Sequence, residues 1–388
     1  MSLSRRSFVQ TLGVGAAGAW IGSRGREGSL FGSDLYAQGI QPVQGPAPSV
    51  ILSSNENPLG CHKDVLAAIQ NAAFPEAGRY PNPMEVAELI ARKHGVKLEN
   101  VLPGSGSTQI LRTSTHVFTS KTAGLVAAIP AYEECADYAR LMGHPITGVK
   151  LDANLRMDLD ALQQASKGAG LVFYCNPNNP VATAITGSDT RTYLATLLKA
   201  SPDTTVLVDE AYFEYGTMPG YETMIPLAVQ NPRVVVARTF SKCFGMAGIR
   251  IGYAIGHKDT IAKMAAWDSV ASISVMALLG AKAALAVPGS WVKEEQKRNE
   301  AARTFTQKWF AERGYAPTDS QTNFMFVNVK RPAREFREAC LKQGVLVGRD
   351  FPPYEKTHVR ISIGTMEEMQ KAVKVFEQVL AQPAKAAA

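Results

Sequence analysis

One lysine in this 388-residue chain sits among the groups that would hold a small molecule carrying both an aldehyde and a phosphate. Lys242 lies in the run 238–253, Arg-Thr-Phe-Ser-Lys-Cys-Phe-Gly-Met-Ala-Gly-Ile-Arg-Ile-Gly-Tyr, just after a β-branched stretch at 234–237 and before a small-residue turn. Hydroxyls stand beside it at Thr239 and Ser241, and Arg250 follows eight residues on. An amine condenses with an aldehyde to a Schiff base. A guanidinium and hydroxyls suit the phosphate through charge-assisted hydrogen bonds. A phosphate also calls for backbone donors at a helix start, where the peptide dipoles favour an anion. Gly104-Ser105-Gly106-Ser107-Thr108, opening a helix at Ser107, supplies such a cradle. A glycine-serine turn of this kind is common at helix starts, so its weight comes from the company it keeps. Asp209 ends the buried run Val206-Leu207-Val208, and a carboxylate at a strand's carboxyl end lies where open α/β sheets bind ligands.

The Lys242 run resembles the pyridoxal-phosphate lysine segment of the class I/II (fold type I) aminotransferases. The likeness extends over residues 52–380 and is nearest to the histidinol-phosphate aminotransferases. The resemblance implies pyridoxal 5'-phosphate as cofactor and transfer of an amino group between an amino acid and a 2-oxo acid. It implies that Lys242, Asp209 and Tyr212 are catalytic. Lys242 would carry the Schiff base and move the α-proton, and Asp209 would keep the ring nitrogen protonated. Tyr212 and Asn179 would hold the ring's phenolic oxygen, with Tyr132 stacked on the ring face. Gly106, Ser107, Thr108, Thr239, Ser241 and Arg250 would bind the phosphate, joined by Tyr80 from a neighbouring subunit, which implies a homodimer with shared active sites. Arg360, in Val359-Arg-Ile-Ser-Ile-Gly-Thr365, would clamp the substrate carboxylate through a bidentate guanidinium pair. Asn55, in the matching run 53–60, and Arg349 are further substrate-binding candidates. Two stretches depart from the family pattern. The usual Asn-Pro-Thr-Gly reads Asn179-Pro180-Val181-Ala182, which implies a changed loop rather than lost catalysis. The Pro-Tyr pair of the histidinol-phosphate enzymes is replaced by Gln41-Pro42-Val43-Gln44, which removes a substrate-phosphate contact. A decarboxylase or carbon–sulfur lyase of the same fold would use the same lysine, aspartate and arginine.

These groups are positioned by alternating elements. Segments 84–94 and 107–118 read as helices, and short apolar runs at 124–129, 171–174, 205–208, 234–237 and 249–255 read as strands. Apolar strands separated by helices predict a mainly parallel sheet with helices on both faces. Beyond 285 a charged helix (292–314) precedes strands at 323–329, 345–347 and 359–363 and helices at 332–343 and 366–380. The expected fold class is α/β: a fold type I pyridoxal-phosphate transferase with a large domain (76–285) and a smaller α+β domain (286–380). The segment 41–75 is expected to join the small domain, with a tail at 381–388.

Apolar residues make up 46% of the chain and charged residues 19%, which indicates a globular protein with a large core. The net charge of +7 is dispersed rather than gathered into a stripe, so nucleic-acid binding has no support. Five scattered cysteines form neither a disulfide framework nor a metal-ligand pattern, and no metal is expected. The paired arginines of Ser4-Arg5-Arg6-Ser7-Phe8-Val9-Gln10 precede a weakly apolar, glycine-rich stretch, 11–23. That pattern reads as a twin-arginine signal within residues 1–40, with a cleavage region near Ala37, and implies the twin-arginine export machinery as a partner. An exported, periplasmic protein is expected. The alternative is a cytoplasmic enzyme with a basic extension.

Overall fold

The computed structural model describes residues 48–267 and 272–383. The twin-arginine segment, the cleavage region near Ala37 and the strap at 41–44 lie outside those residues. The chain enters through β1 (Val50–Leu52), α1 (Lys63–Glu76) and α2 (Met84–His94). It continues through β2 (Val101–Gly104), α3 (Gly106–Phe118), β3 (Leu125–Ile129), α4 (Glu134–Leu141), β4 (Ile146–Lys150) and α5 (Leu159–Ala165). Then come β5 (Leu171–Cys175), α6 (Gly187–Ala200), β6 (Thr205–Asp209), α7 (Ile225–Gln230), β7 (Val234–Thr239), β8 (Gly252–Gly256), α8 (Lys258–Ala265) and α9 (Val275–Ala286). The last part holds α10 (Gly289–Ala311), β9 (Ala316–Pro317), β10 (Phe324–Asn328), α11 (Ala333–Leu341), β11 (Val345–Val347), β12 (His358–Ser362) and α12 (Met366–Ala381).

Seven strands form one sheet in the order β2-β8-β7-β6-β5-β3-β4. β4, β3, β5, β6 and β7 run parallel, and β8 is antiparallel to both of its neighbours, β7 and β2. The three central strands β5, β6 and β7 are buried along their whole length, which is why they read as largely apolar, mostly Val, Leu and aromatic runs rather than alternating ones. The expected strand at 249–255 begins later, at Gly252. A short 3-10 turn occupies Ala247–Ile249, and Arg250 takes a left-handed backbone, φ 63°, which no strand accommodates.

Two smaller sheets follow the main one. β12, β10 and β9 pair antiparallel, and β1 runs parallel to β11 with Val50 opposite Val345. The first strand of the described chain is therefore zipped to a strand nearly three hundred residues later. The described part of the segment 41–75, from residue 48 on, does not act as one piece. β1 joins the small sheets, whereas α1 packs on α9 and buries Val65 in the core of the large sheet. The reason is composition. Val50 and Leu52 alternate as a half-buried strand, while Val65 and Ile69 are spaced one helical turn apart. A second core, built from Phe310, Phe336, Phe376 and Ile361 among others, lies under the small sheets. A third cluster of Ala182, Ala211, Tyr212, Tyr215, Cys243 and Phe324 brings residues of both parts of the chain together.

Candidate active site

Strand direction gathers the chemistry at one edge. Tyr132, Asn179, Asp209 and Lys242 follow the carboxyl ends of β3, β5, β6 and β7, adjacent parallel strands of the large sheet. β2 runs in the same sense as β7 because both are antiparallel to β8, so Gly104 reaches the same edge. The register makes this concrete: Gly104 is opposite Gly252, and Gly252 is opposite Thr239. The phosphate-loop residues, the strand leading from Arg250 and the hydroxyls beside Lys242 thus meet in one row. Gly252 permits that meeting. A Cβ there would stand 2.8 Å from the Arg238 carbonyl oxygen and press on the Ser107 amide.

Ser107 and Thr108 open α3, whose first residue, Gly106, has φ 73°. Arg250 lies over this turn. Its Nη1 donates to the Ala247 carbonyl at 2.8 Å and its Nη2 to Thr108 Oγ1 at 3.4 Å. A Cβ on Gly106 would come within 3.0 Å of the Arg250 Cζ. Thr239 Oγ1 donates to Ser241 Oγ at 2.9 Å and accepts from the Ser241 amide at 3.1 Å, so the two hydroxyls form a pair. Helix-start amides, a guanidinium and hydroxyls at one point make a donor set for a phosphate.

Asp209 is buried at the end of β6. Among the described residues its Oδ1 accepts one bond, from the Ala211 amide at 3.2 Å, while Oδ2 meets only the Cys175 thiol, 4.0 Å away. Burial pushes its carboxyl up to about 7, reinforced by Glu210 and opposed by the Ala211 bond and Lys242. A buried carboxylate so lightly bonded has capacity for an incoming cationic N–H. Lys242 is half-buried. Its Nζ donates to the Ser54 carbonyl at 3.3 Å and stands 5.6 Å from the Tyr212 ring centroid. Burial and then the nearby Arg360 cation bring its ammonium down to about 8. The residues present therefore fit pyridoxal phosphate: a cradle that a Cβ would fill, a lightly bonded carboxylate, and an amine that loses its proton close to neutrality.

On the other side of the cleft the hydrogen bonds converge on Tyr212. Its hydroxyl accepts from Asn55 Nδ2 at 3.2 Å and from Asn179 Nδ2 at 3.5 Å, and its ring packs edge-on against Phe324. Asn55, at φ 55° in the left-handed region that asparagine tolerates, is pinned by Ser362 Oγ and by Asn323 Nδ2, which donates to its carbonyl at 3.0 Å. Arg360, on β12, donates to Asn179 Oδ1 at 2.8 Å and to the Ser53 carbonyl at 2.6 Å. Its guanidinium carbon lies 4.6 Å from the Phe351 ring centroid, and its Nε has no partner among the described residues. Burial holds its pKa down to about 10. A buried arginine with an unsatisfied N–H facing two aromatic rings is a receptor for a carboxylate.

The structure brings together Lys242, Asp209, Tyr212, Asn55, Asn179 and Arg360 on one side, and Gly106, Ser107, Thr108, Thr239, Ser241 and Arg250 on the other. Tyr132 is half-buried against the large core directly after β3. Arg349 is ion-paired with Glu133 at 2.6 Å, beside Arg360. Tyr80 is not part of the cleft of its own chain; it is 94% exposed. Sequence reasoning missed several supports. Ser362 had a visible signal, being two residues after Arg360 and so on the same strand face. Asn323 and the carbonyls of Ser53 and Ser54 had none. The buried ion cluster beneath the site was also missed. Arg238 Nε donates to Glu210 Oε2 at 2.8 Å and Nη1 to Glu214 Oε1 at 3.1 Å, with the guanidinium 3.8 Å over Phe213. That cluster ties the end of β7 to the end of β6.

Residues 47–376 match the family model described as aminotransferase class I and II. A histidinol-phosphate aminotransferase of Bacillus cytotoxicus is 30% identical over 362 residues, covering 90% of this chain and 95% of the relative. Among solved structures, a putative histidinol-phosphate aminotransferase from Erwinia carotovora atroseptica aligns with TM-score 0.80 at 29% identity, covering 86% of this chain and 98% of its own. The histidinol-phosphate aminotransferase of Sinorhizobium meliloti, solved with pyridoxal-5'-phosphate, also gives TM-score 0.80, at 25% identity over 87% of this chain and 92% of its own.

Proposed function

This chain belongs to the class I and II aminotransferases and is a pyridoxal-phosphate-dependent aminotransferase, and we propose the following division of labour among its residues. When bound, pyridoxal phosphate supplies an electrophilic aldehyde and an electron sink for a carbanion. Lys242 Nζ is the amine that would hold the aldehyde carbon between turnovers. Once displaced by the substrate amine, it takes the proton from the amino acid's α-carbon and later returns it. The lowered ammonium pKa, about 8, supports this role, because a base must be neutral part of the time near its working pH. Asp209 would hold the proton on the ring nitrogen. The buried, lightly bonded Oδ2 supports that role. Tyr212 and Asn179 would hold the phenolic oxygen, and Arg360 would grip the α-carboxylate, so that the breaking bond is oriented before the proton moves.

The single observation that carries this reading is the convergence of Lys242 and Asp209 at the carboxyl ends of neighbouring parallel strands, with the phosphate cradle at the same edge. The test is Lys242→Ala. It should abolish formation of a new amino acid from any donor and 2-oxo acid pair. It should also leave no pyridoxyl group on the chain after borohydride reduction. Full activity in that variant would overturn the assignment. The decarboxylase or lyase reading draws no support from relatives whose names are aminotransferases.

A homodimer is part of the proposal. An aromatic ring as exposed as Tyr80 packs on little among the described residues of its own chain, and a second copy would give it a phosphate to bond. Light scattering should find two chains per particle, and Tyr80→Ala should weaken cofactor retention. Export rests on Arg5 and Arg6 and the glycine-rich stretch behind them. Fractionation of cells and amino-terminal sequencing of the mature chain test it.

A further inference from the structure

The segment 53–57, which directly follows β1, touches three of the side chains given roles above. The Ser53 carbonyl accepts from Arg360 Nη2 at 2.6 Å, and the Ser54 carbonyl accepts from Lys242 Nζ at 3.3 Å. Asn55 Nδ2 donates to the Tyr212 hydroxyl at 3.2 Å. Asn57 Nδ2 adds a bond to the carbonyl of Cys243, the residue after Lys242, at 3.0 Å. The backbone turns left-handed at Asn55, φ 55°, and two side chains hold it there. Ser362 Oγ accepts from the Asn55 amide at 2.8 Å and donates to its Oδ1 at 3.0 Å. Asn323 Nδ2 donates to the Asn55 carbonyl at 3.0 Å and to the Glu56 carbonyl at 3.3 Å.

Two successive carbonyls that converge on one point repel each other unless a donor with two protons stands between them. A primary amide nitrogen is such a donor. Asn323 is fully buried just before β10, and it is itself anchored. Its carbonyl accepts from the Ile363 amide at 2.8 Å, next to Ser362. The preceding carbonyl, of Thr322, accepts from Asn299 Nδ2 at 3.1 Å and from Arg303 Nη1 at 3.0 Å, both on α10. A chain of contacts thus runs from the long helix through Asn323 to the carbonyls on Lys242 and Arg360. Those carbonyls aim their partners without using them up. A guanidinium has more N–H groups than the two given to Asn179 and Ser53, and the others are left for a carboxylate. We propose that Asn323 is a positioning residue: by gathering the Asn55 and Glu56 carbonyls it fixes the course of 53–57, and through Ser54 and Ser53 it aims the Lys242 amine and the Arg360 guanidinium. This role rests on the aminotransferase reading and deepens it.

The test compares Asn323→Asp, which keeps the shape of the side chain but not its pair of donors, with Asn323→Ala, which keeps neither. A packing role would spare the aspartate, whereas a donor role loses both. The holoenzyme is mixed with the amino acid that removes the near-visible cofactor absorption of the wild type fastest, well below each variant's unfolding midpoint. In both variants the maximal rate should fall about ten- to hundredfold and the half-saturating concentration should rise about tenfold. The isotope effect of an α-deuterated donor should grow, because a misaimed amine slows proton transfer relative to the other steps. Ser362→Ala should act in the same direction and combine less than additively with Asn323→Ala, since both act through Asn55. A readout free of cofactor is the rate at which cyanate carbamoylates Lys242 in cofactor-free protein, followed by mass spectrometry. It should rise about threefold or more in both Asn323 variants, as the amine loses its acceptor at Ser54. Wild-type rates and isotope effect in a folded, cofactor-loaded Asn323→Asp overturn the inference, as does unchanged cyanate reactivity of Lys242. Should both variants fail to fold, Asn323→Ser, which keeps one donor, replaces them and should show the same changes in smaller degree; none would overturn it. If no amino acid turns over in the wild type, the aminotransferase reading fails, and the cyanate rates still decide the role of Asn323.

Discussion

Gly106→Ala isolates the phosphate cradle from the rest of the site. Gly106 has φ 73°, a backbone that costs an alanine about 1 kcal/mol. That part of the penalty falls on the cofactor-free chain. The larger effect is steric. The added methyl would lie 3.0 Å from the Arg250 Cζ and closer still to Nη2, so the guanidinium must leave the mouth of the turn. Arg250 can move, because it is exposed and, among the described residues, held only by the Ala247 carbonyl and a long bond to Thr108. Once displaced, it can no longer make its charge-assisted bond to the phosphate, worth about 1.5–3 kcal/mol. The expected result is a ten- to hundredfold rise in the dissociation constant for pyridoxal phosphate, read by titrating cofactor-free protein. A double-mutant cycle makes the argument specific. In an Arg250→Ala background, Gly106→Ala should add little more than its backbone strain, because the group it displaces is gone. Unchanged cofactor affinity in Gly106→Ala would refute the geometry of the cradle. Full additivity of the two substitutions would refute the claim that the methyl acts through Arg250.

Three other perturbations follow from the same site. The Asp209 carboxyl is raised to about 7, so the folded chain holds that proton more tightly than the unfolded one; the stability this contributes is complete below about pH 4 and lost as pH rises through 7. Cofactor-free Asp209→Asn should therefore gain on the wild type by up to a few kcal/mol between about pH 5 and pH 8, while its turnover falls by orders of magnitude; unfolding curves at the two pH values check the first part and initial rates the second. Arg360→Lys should raise the KM for amino acids at least about tenfold, since an ammonium cannot reproduce the planar fork, and leave cofactor affinity unchanged; an unchanged KM would move the carboxylate clamp elsewhere. Ala182 has φ 67° and is fully buried in the cluster with Tyr212 and Phe324. Ala182→Gly should change stability by less than about 1 kcal/mol, because relief of backbone strain offsets the lost methyl burial. Ala182→Val should cost about 3 kcal/mol or more, as thermal unfolding would show.

The parallel core of the fold was legible because its strands are buried on both faces. β5, β6 and β7 are short Val- and Leu-rich runs closed by turn residues, and α2 and β11 end where periodicity and turns place their ends. What escaped the reading depended on distant partners. Nothing local in Val50–Leu52 announces a pairing with Val345–Val347, and nothing in the run at 249–255 reveals that Arg250 would fold back left-handed over Thr108. The site divides in the same way. Lys242, Asp209 and the glycine-serine turn carry their chemistry in their residue types. Asn323 and Ser54 enter the site only through contacts made across more than a hundred residues of chain. The Val181-Ala182 departure is accommodated locally. Ala182 adopts the left-handed backbone, and the turn closes with its amide donating to the Asn178 carbonyl at 2.7 Å and the Asn178 amide to the Thr183 carbonyl at 2.9 Å.

The electrostatics of the cofactor-free cleft explain why these residues lie unpaired at all. Asp209 is pushed up to about 7, Lys242 down to about 8 and Arg360 down to about 10, and in each case burial is the largest cause. Every one of these groups would be more stable in its charged form if it faced water, so folding alone leaves the site holding free energy it does not recover within the chain. A pyridinium opposite Asp209, an aldehyde at Lys242 and a carboxylate on Arg360 each supply the missing partner, and all three relieve the same desolvation. Binding energy is therefore drawn from the groups that do the chemistry rather than from surface contacts around them.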